Sequence, residues 1–304
     1  MKPLALNRRR LLMAGGAVAG LGLLATCAVE APEPITPSGS FVEVDGVQVH
    51  YKIVGQGPRA IAIHGASGNL NDWAMGPVEA LAETNQVLLL DRPGQGRTGR
   101  PDGAEDLFVQ ARLLRGAAAR LGFGRAHLIG HSYGGSIALA WGLDAPESLT
   151  GLMVISAPSQ VWEGGVGFIY DLIVTPVVGR IFTGLAPAIA GERTVENAVK
   201  NVFAPQSPPA DYAGRLDTGL TLHPDALHAN ARDLTSLKAN VRRMVPRYGE
   251  LSMPVEILHG SADTVVPPDI HSDKLVQQID GARYTRLEGI GHMPHHVSPD
   301  AIAK

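Results

Sequence analysis

His127-Leu128-Ile129-Gly130-His131-Ser132-Tyr133-Gly134-Gly135 joins a strand-like run to a helical one through a serine set between glycines. A short apolar run of strand type ends at Ile129, and an uncharged helical stretch follows over Ser132–Leu143. Between them stands G-x-S-x-G. A serine at such a strand-to-helix turn sits on a sharp, strained bend that lifts its hydroxyl to the top of a sheet. The flanking positions have no room for side chains, which is why they are glycine. The serine also lies at a helix N-terminus, where the dipole favours developing negative charge. Ser132 is therefore the candidate nucleophile and the Tyr133 amide a candidate oxyanion donor.

Working outward, Phe41–Val44 and Val47–Tyr51 alternate apolar and polar residues around Asp45-Gly46, a hairpin signal. The pattern then changes. Ala60–Ile63, Val87–Leu90, His127–Ile129, Leu152–Ile155 and Val255–Leu258 are continuous apolar runs, as expected of parallel strands covered on both faces. Helical stretches fall at about Trp73–Glu83, Glu105–Leu121, Ser132–Leu143 and Asp269–Gln278. Alternation of strand and helix after an antiparallel start predicts a doubly wound α/β sheet. It breaks between about Ala157 and Asn240, so residues 41–157 and 241–304 read as the two parts of a core and 158–240 as an inserted helical cap. Within the insertion, Val166–Gly191 is apolar but interrupted by Asp171, Pro176 and Arg180. It is expected to be the apolar underside of a lid lining a substrate pocket.

A serine hydroxyl needs a base. Gly291-His292 follows the strand-like run Arg283–Leu287, which puts His292 in a loop at a strand end. His295 and His296 read as surface residues or neighbours of the site, and His64 as structural. The imidazole in turn needs a carboxylate to set its tautomer. Asp263 follows Val255–Leu258 through His259-Gly260-Ser261-Ala262, whereas Ser156-Ala157-Pro158 after Ile155 offers no acid. The second oxyanion donor is expected from His64-Gly65-Ala66-Ser67-Gly68, with Ala66 first and Ser67 second. His292, His295 and His296 have no carboxylate or cysteine near them at ligand spacing, so no metal is expected. No G-K-[ST] and no GxGxxG after the first strand calls for a nucleotide or other organic cofactor.

The pieces His64-Gly65, Asp91-Arg92-Pro93-Gly94-Gln95-Gly96, Gly130–Gly135, His259–Asp263 and Gly291-His292 appear in the order of the α/β-hydrolase superfamily, and the chain resembles its branch of capped esterases. The resemblance spans residues 41 to about 300. It implies an eight-stranded, mostly parallel sheet flanked by helices, with a cap over the site and Asp91–Gly96 as a structural turn. It also implies a full final helix after His292, so a chain ending at Lys304 is expected to stop short. Dehalogenases and epoxide hydrolases of this branch carry aspartate where Ser132 stands. The expected activity is hydrolysis of a carboxylic ester of small to medium apolar size through an acyl-enzyme. Cleavage of a C–C bond, an amide or a peracid by the same three residues is the alternative, and a non-catalytic binding protein of the same fold the more distant one.

The chain has 304 residues, 45% hydrophobic and 18% charged, with a formal net charge of -3. Nothing basic suggests nucleic acid, so the expected partner is a small molecule. Residues 1–27 read as an export signal: Arg8-Arg9-Arg10 is followed by sequence without charge from Leu11 to Val29. The adjacent arginines resemble a twin-arginine motif. Leu24-Ala25-Thr26-Cys27 resembles a bacterial lipobox, making Cys27, the one cysteine, a lipidation candidate and the protein periplasmic or membrane-attached. An uncleaved anchor is the alternative, since the run is long enough to span. Residues 28–40, with Pro32, Pro34 and Pro37, read as a linker.

Overall fold

The computed structural model describes residues 39–189 and 191–303, with 186–189 described by backbone alone. Cys27, the export segment and nearly all of the linker lie outside the described residues.

Eight strands form one sheet: β1 (Ser40–Val44), β2 (Val47–Val54), β3 (Arg59–Ile63), β4 (Gln86–Leu90), β5 (Ala126–His131), β6 (Leu149–Ile155), β7 (Val255–Gly260) and β8 (Arg283–Leu287). Their spatial order is β1-β2-β4-β3-β5-β6-β7-β8. The pairs β1–β2 and β2–β4 are antiparallel, and every other pair is parallel. This is the expected α/β-hydrolase sheet.

The period of two along each strand divides its side chains between two cores. Ile61, Ile63, Leu88 and Leu90 face one core, whereas Ala60, Ala62, Val87 and Leu89 face the other. The helices are α1 (Asn71–Ala74), α2 (Pro77–Ala82), α3 (Leu107–Arg120), α4 (Tyr133–Asp144), α5 (Phe168–Ile173), α6 (Val178–Ile189), α7 (Glu192–Phe203), α8 (Tyr212–Leu216), α9 (Thr218–Leu222), α10 (Pro224–Met244), α11 (Ser272–Leu275) and α12 (Pro294–Val297). The first core is filled from α3 and α4, the second from Trp73 of α1 and Val78 and Leu81 of α2. Helix α4 is buried from Tyr133 to Leu143, which explains why it carries no charge before Asp144.

Two helical expectations need correction. Trp73–Glu83 is two short helices, because Pro77 cannot donate to a preceding turn and instead starts a new helix. Asp269–Gln278 narrows to Ser272–Leu275. The Pro267 and Pro268 carbonyls accept from Ile270, His271 and Asp273 in successive turns that do not make a regular helix.

Between β6 and β7 the regular elements among the described residues are all helical, α5 to α10 and a 3-10 turn over Val245–Glu250, joined by loops. Helix α10 runs through Asn240 to Met244 and is tied to the start of α3, with Asn240 Nδ2 donating to the Glu105 carbonyl at 2.8 Å. Among the described residues no helix is long and apolar enough to cross a membrane.

Candidate active site

Ser132 occupies the turn between β5 and α4 with φ 52° and ψ -121°, a left-handed backbone that an L-residue adopts only under strain. The turn is anchored: the Ser132 amide donates to the Ile155 carbonyl at 2.8 Å. A Cβ on Gly130 would run into the Gly134 carbonyl, and one on Gly134 into the carbonyls of Ile63 and His64. The G-x-S-x-G spacing thus reflects the close approach of α4 to strands β3 and β5.

His292 lies in the loop after β8, with Nε2 3.0 Å from Ser132 Oγ. Its Nδ1 lies 2.7 Å from Asp263 Oδ2. A carboxylate only accepts, so Nδ1 carries the proton and Nε2 presents its lone pair to the serine hydroxyl. Asp263, in the loop after β7, accepts three hydrogen bonds besides that from His292. Oδ1 takes the amides of Val265 and Val266 at 2.8 and 2.9 Å, and Oδ2 takes His259 Nε2 at 3.0 Å as well as His292. Burial alone would raise this carboxyl, but the hydrogen bonds from His259 and His292 outweigh it and hold Asp263 ionised, well below the usual carboxylate range.

The sequence places His259 in the motif before Asp263 but gives it no role. Its Nε2 faces both Asp263 and the Val266 carbonyl, two acceptors, so it donates there, while Nδ1 accepts from Ser272 Oγ at 2.6 Å. It buttresses the acid from below.

Ser132 and His292 open into a cavity of about 790 Å³. The walls are mostly apolar, among them Val166, Val199, Leu216, Leu234, Ile270 and Met293. Asp72 and Glu163 contribute carboxylates, and among the described residues no lysine or arginine lines it. Burial lowers two lining histidines: His131, also beside His295 and His292, well below its ordinary value, and His271 to about 4. Both are neutral at pH 7.

Ala66 and Tyr133 also line this cavity. The Ser67 amide donates to Asn230 Oδ1 at 3.0 Å and is engaged, which leaves Ala66 as the candidate donor of this loop. Tyr133 is held from behind: Arg92 lies over its ring at 4.3 Å, and Arg92 Nη1 pairs with Asp233 of α10 at 3.0 Å. His64 is buried in the same support, with Nε2 accepting the Arg92 amide at 3.0 Å.

Two expectations are corrected here. Val166–Gly191 is not wholly a cavity-facing underside: Val166 and Tyr170 line the cavity, but Phe168, Val177, Val178, Ile181 and Leu185 are exposed. The histidine group also has a carboxylate neighbour after all. Asp72 of α1 accepts from His296 Nε2 at 2.7 Å, His295 Nε2 at 3.2 Å and Tyr212 Oη at 2.7 Å. His295 is fully buried, not a surface residue. Asp72, His295 and His296 are the three described residues whose ligand atoms gather closely enough to hold a metal ion. Their hydrogen bonds to one another already satisfy the carboxylate, and they clamp α12 to α1.

Residues 61–299 match the family described as alpha/beta hydrolase fold, and the chain belongs to that family; it is a hydrolase. A 2-hydroxy-6-oxononadienedioate/2-hydroxy-6-oxononatrienedioate hydrolase of Paraburkholderia xenovorans is 30% identical over 82% of this chain and 86% of its own. One of the same name from Burkholderia vietnamiensis is 30% identical over 74% of this chain and 77% of its own. Among solved structures, a meta-cleavage product hydrolase from Pseudomonas fluorescens is similar with a TM-score of 0.69 at 22% identity, covering 87% of this chain and 94% of that one. An alpha/beta hydrolase fold protein from Burkholderia ambifaria reaches 0.74 at 22%, covering 87% and 95%.

Proposed function

We propose that the protein hydrolyses neutral, apolar carboxylic esters through an acyl-enzyme on Ser132. The observation that carries this reading is the lone pair of His292 Nε2 facing Ser132 Oγ at 3.0 Å in an apolar cavity with no lysine or arginine among its described lining residues. In the first step Ser132 Oγ attacks the ester carbonyl while His292 takes its proton. The amides of Tyr133 and Ala66 hold the oxyanion. Collapse expels the alcohol, which takes the proton from His292, and water activated by the same imidazole then releases the acid. Asp263 keeps the ring oriented and stabilises its charged form. Small to medium acyl groups suit a cavity of this volume and lining.

The named relatives favour a second reading, hydrolysis of a C–C bond by the same residues. Their named substrates are dioates, with two negative charges. A dianion entering this cavity would meet Asp72 and Glu163 and find no cation among the described lining residues, at a desolvation cost. Neutral esters therefore fit better. Matched nitrophenyl esters test this: the butyrate is expected to exceed an ester with a free carboxylate on its acyl chain at least ten-fold in kcat/KM. Equal or better turnover of the charged ester would overturn the reading.

We further infer, from the sequence alone, that the chain is exported and held at a membrane surface through lipid on Cys27. The support is the basic start, the uncharged run Leu11–Val29 and the single cysteine near its end. Mass spectrometry of the mature N-terminus should find a lipidated Cys27; an unmodified or intact N-terminus would refute it.

A further inference from the structure

The exposed apolar side chains of this protein are not scattered. Among the described residues ten large hydrophobic side chains are exposed, and seven of them fall between Val161 and Leu185. Phe168 is 79% exposed, Val177 68% and Ile181 61%. All of the seven but Val161 belong to α5, α6 and the turn between them. Contiguous apolar surface of this kind on a soluble body marks a contact surface.

The outward direction of this face is built in. Gly179 at the start of α6 sits so close to the Ile173 carbonyl that a Cβ could not be accommodated, which locks α6 onto the end of α5. Ile173, Gly179 and Thr183 form the buried side, and α5 and α6 both pack on α10. The two helices also pack on each other and α6 touches α9, while the side bearing Phe168, Val177 and Ile181 is exposed. This surface also borders the cavity: Glu163, Gly165, Val166 and Tyr170, in and beside the same stretch, line it, as does the exposed Val265.

We propose that the α5–α6 face docks on a lipid bilayer and sits in its interfacial layer, so that the cavity opens toward the membrane. Three features favour lipid as the occupant. Over residues 161–185 the charged side chains are Glu163, Asp171 and Arg180 alone, so the face is near neutral and attracts by apolar burial. Phe, Ile, Val and Leu dominate it, as on helices that lie in an interface. The chain also carries an uncharged run, Leu11–Val29, separated from the folded body by about ten residues. An apolar run this close in sequence keeps the folded body near any bilayer that the run enters.

Tryptophan variants of the full chain read this directly. Phe168→Trp and Ile181→Trp are compared with Phe41→Trp, placed on β1, in vesicles of phosphatidylcholine with brominated acyl chains. Each signal is corrected for Trp73, Trp141 and Trp162 by subtracting that of the unsubstituted protein. Quenching of the two cap positions at least two-fold stronger than that of position 41 is expected, and replacing a fifth of the lipid by phosphatidylglycerol should leave it unchanged. Two outcomes overturn the proposal. One is cap tryptophans quenched no more than position 41, whether or not the chain floats with the vesicles. The other is a blue-shifted cap tryptophan in a lipid-free dimer that stays unquenched on adding vesicles, which would assign the face to a second copy. Flotation alone reports the N-terminal run, so failure of anchoring and failure of docking are read separately.

Discussion

Ser132 Oγ and His292 Nε2 lie 160 positions apart in the chain and 3.0 Å apart in space. Ser132→Ala is expected to lower kcat about a million-fold with the fold intact. Turnover above roughly a hundredth of the unsubstituted enzyme, far from the loss typical of such serines, would remove Ser132 from the reaction. Because Ser132 sits at φ 52°, Ser132→Gly should be the more stable of the two inactive variants, by about 1 kcal/mol, since glycine relieves the backbone strain. Thermal melts of the pair check this; a more stable alanine variant would show that the turn is not strained.

The three clustered histidines should separate by kind of damage. His292→Ala is expected to abolish turnover. His296→Ala and His295→Ala each leave buried Asp72 short of a donor, which costs about 1–3 kcal/mol, while the contacts of His292 with Ser132 and Asp263 remain. Those two variants should melt lower yet keep kcat within about ten-fold. An inactive, fully stable His296→Ala enzyme beside an active His292→Ala enzyme would move the base to His296.

Acid should destabilise the protein well before its carboxylates titrate. Burial holds His64, His271 and His295 at about 4 in the folded state, against an ordinary 6.5. The unfolded chain therefore binds protons between pH 6.5 and 4 that the folded chain refuses, and stability falls as pH falls through that window. Each histidine contributes up to about 3 kcal/mol. Below pH 4 the loss continues in the same direction: Asp263 and Asp72, both held low when folded, take up protons first in the unfolded chain. A melting temperature unchanged between pH 7 and 5 would contradict this.

Asp233 should matter for stability although it lies outside the cavity lining. It is buried between Arg92 at 3.0 Å and Arg100 at 2.8 Å, and burial raises its carboxyl against their pull. Asp233→Ala strands a buried Arg92 and is expected to cost about 3–5 kcal/mol, or on the order of 10 °C in Tm. Denaturant titration measures it; a cost below about 1 kcal/mol would place the pair among weak surface bridges.

The sheet, the turn at Ser132 and the loops bearing Asp263 and His292 were readable from residue order because each is dictated locally. A strand buried on both faces has to be an apolar run, as at Leu88–Leu90 and Ile61–Ile63, and a strained turn has to be flanked by glycine, as at Gly130 and Gly134. Trp73–Glu83 misled because helical spacing says nothing of the break that Pro77 imposes once α2 must pack separately. Other relationships belong to the tertiary structure. Asp72 meets His295 from 223 positions away, Arg92 meets Asp233 from 141, and His259 supports Asp263 only through the curl of one loop. A buried charge or imidazole needs a partner, but residue order does not say which one the fold delivers. The apolar stretch Val166–Gly191 shows the same division. Its composition required some apolar environment, while its direction was decided by the close packing of Gly179 on Ile173, which turned Phe168 and Ile181 outward and left Tyr170 to the cavity.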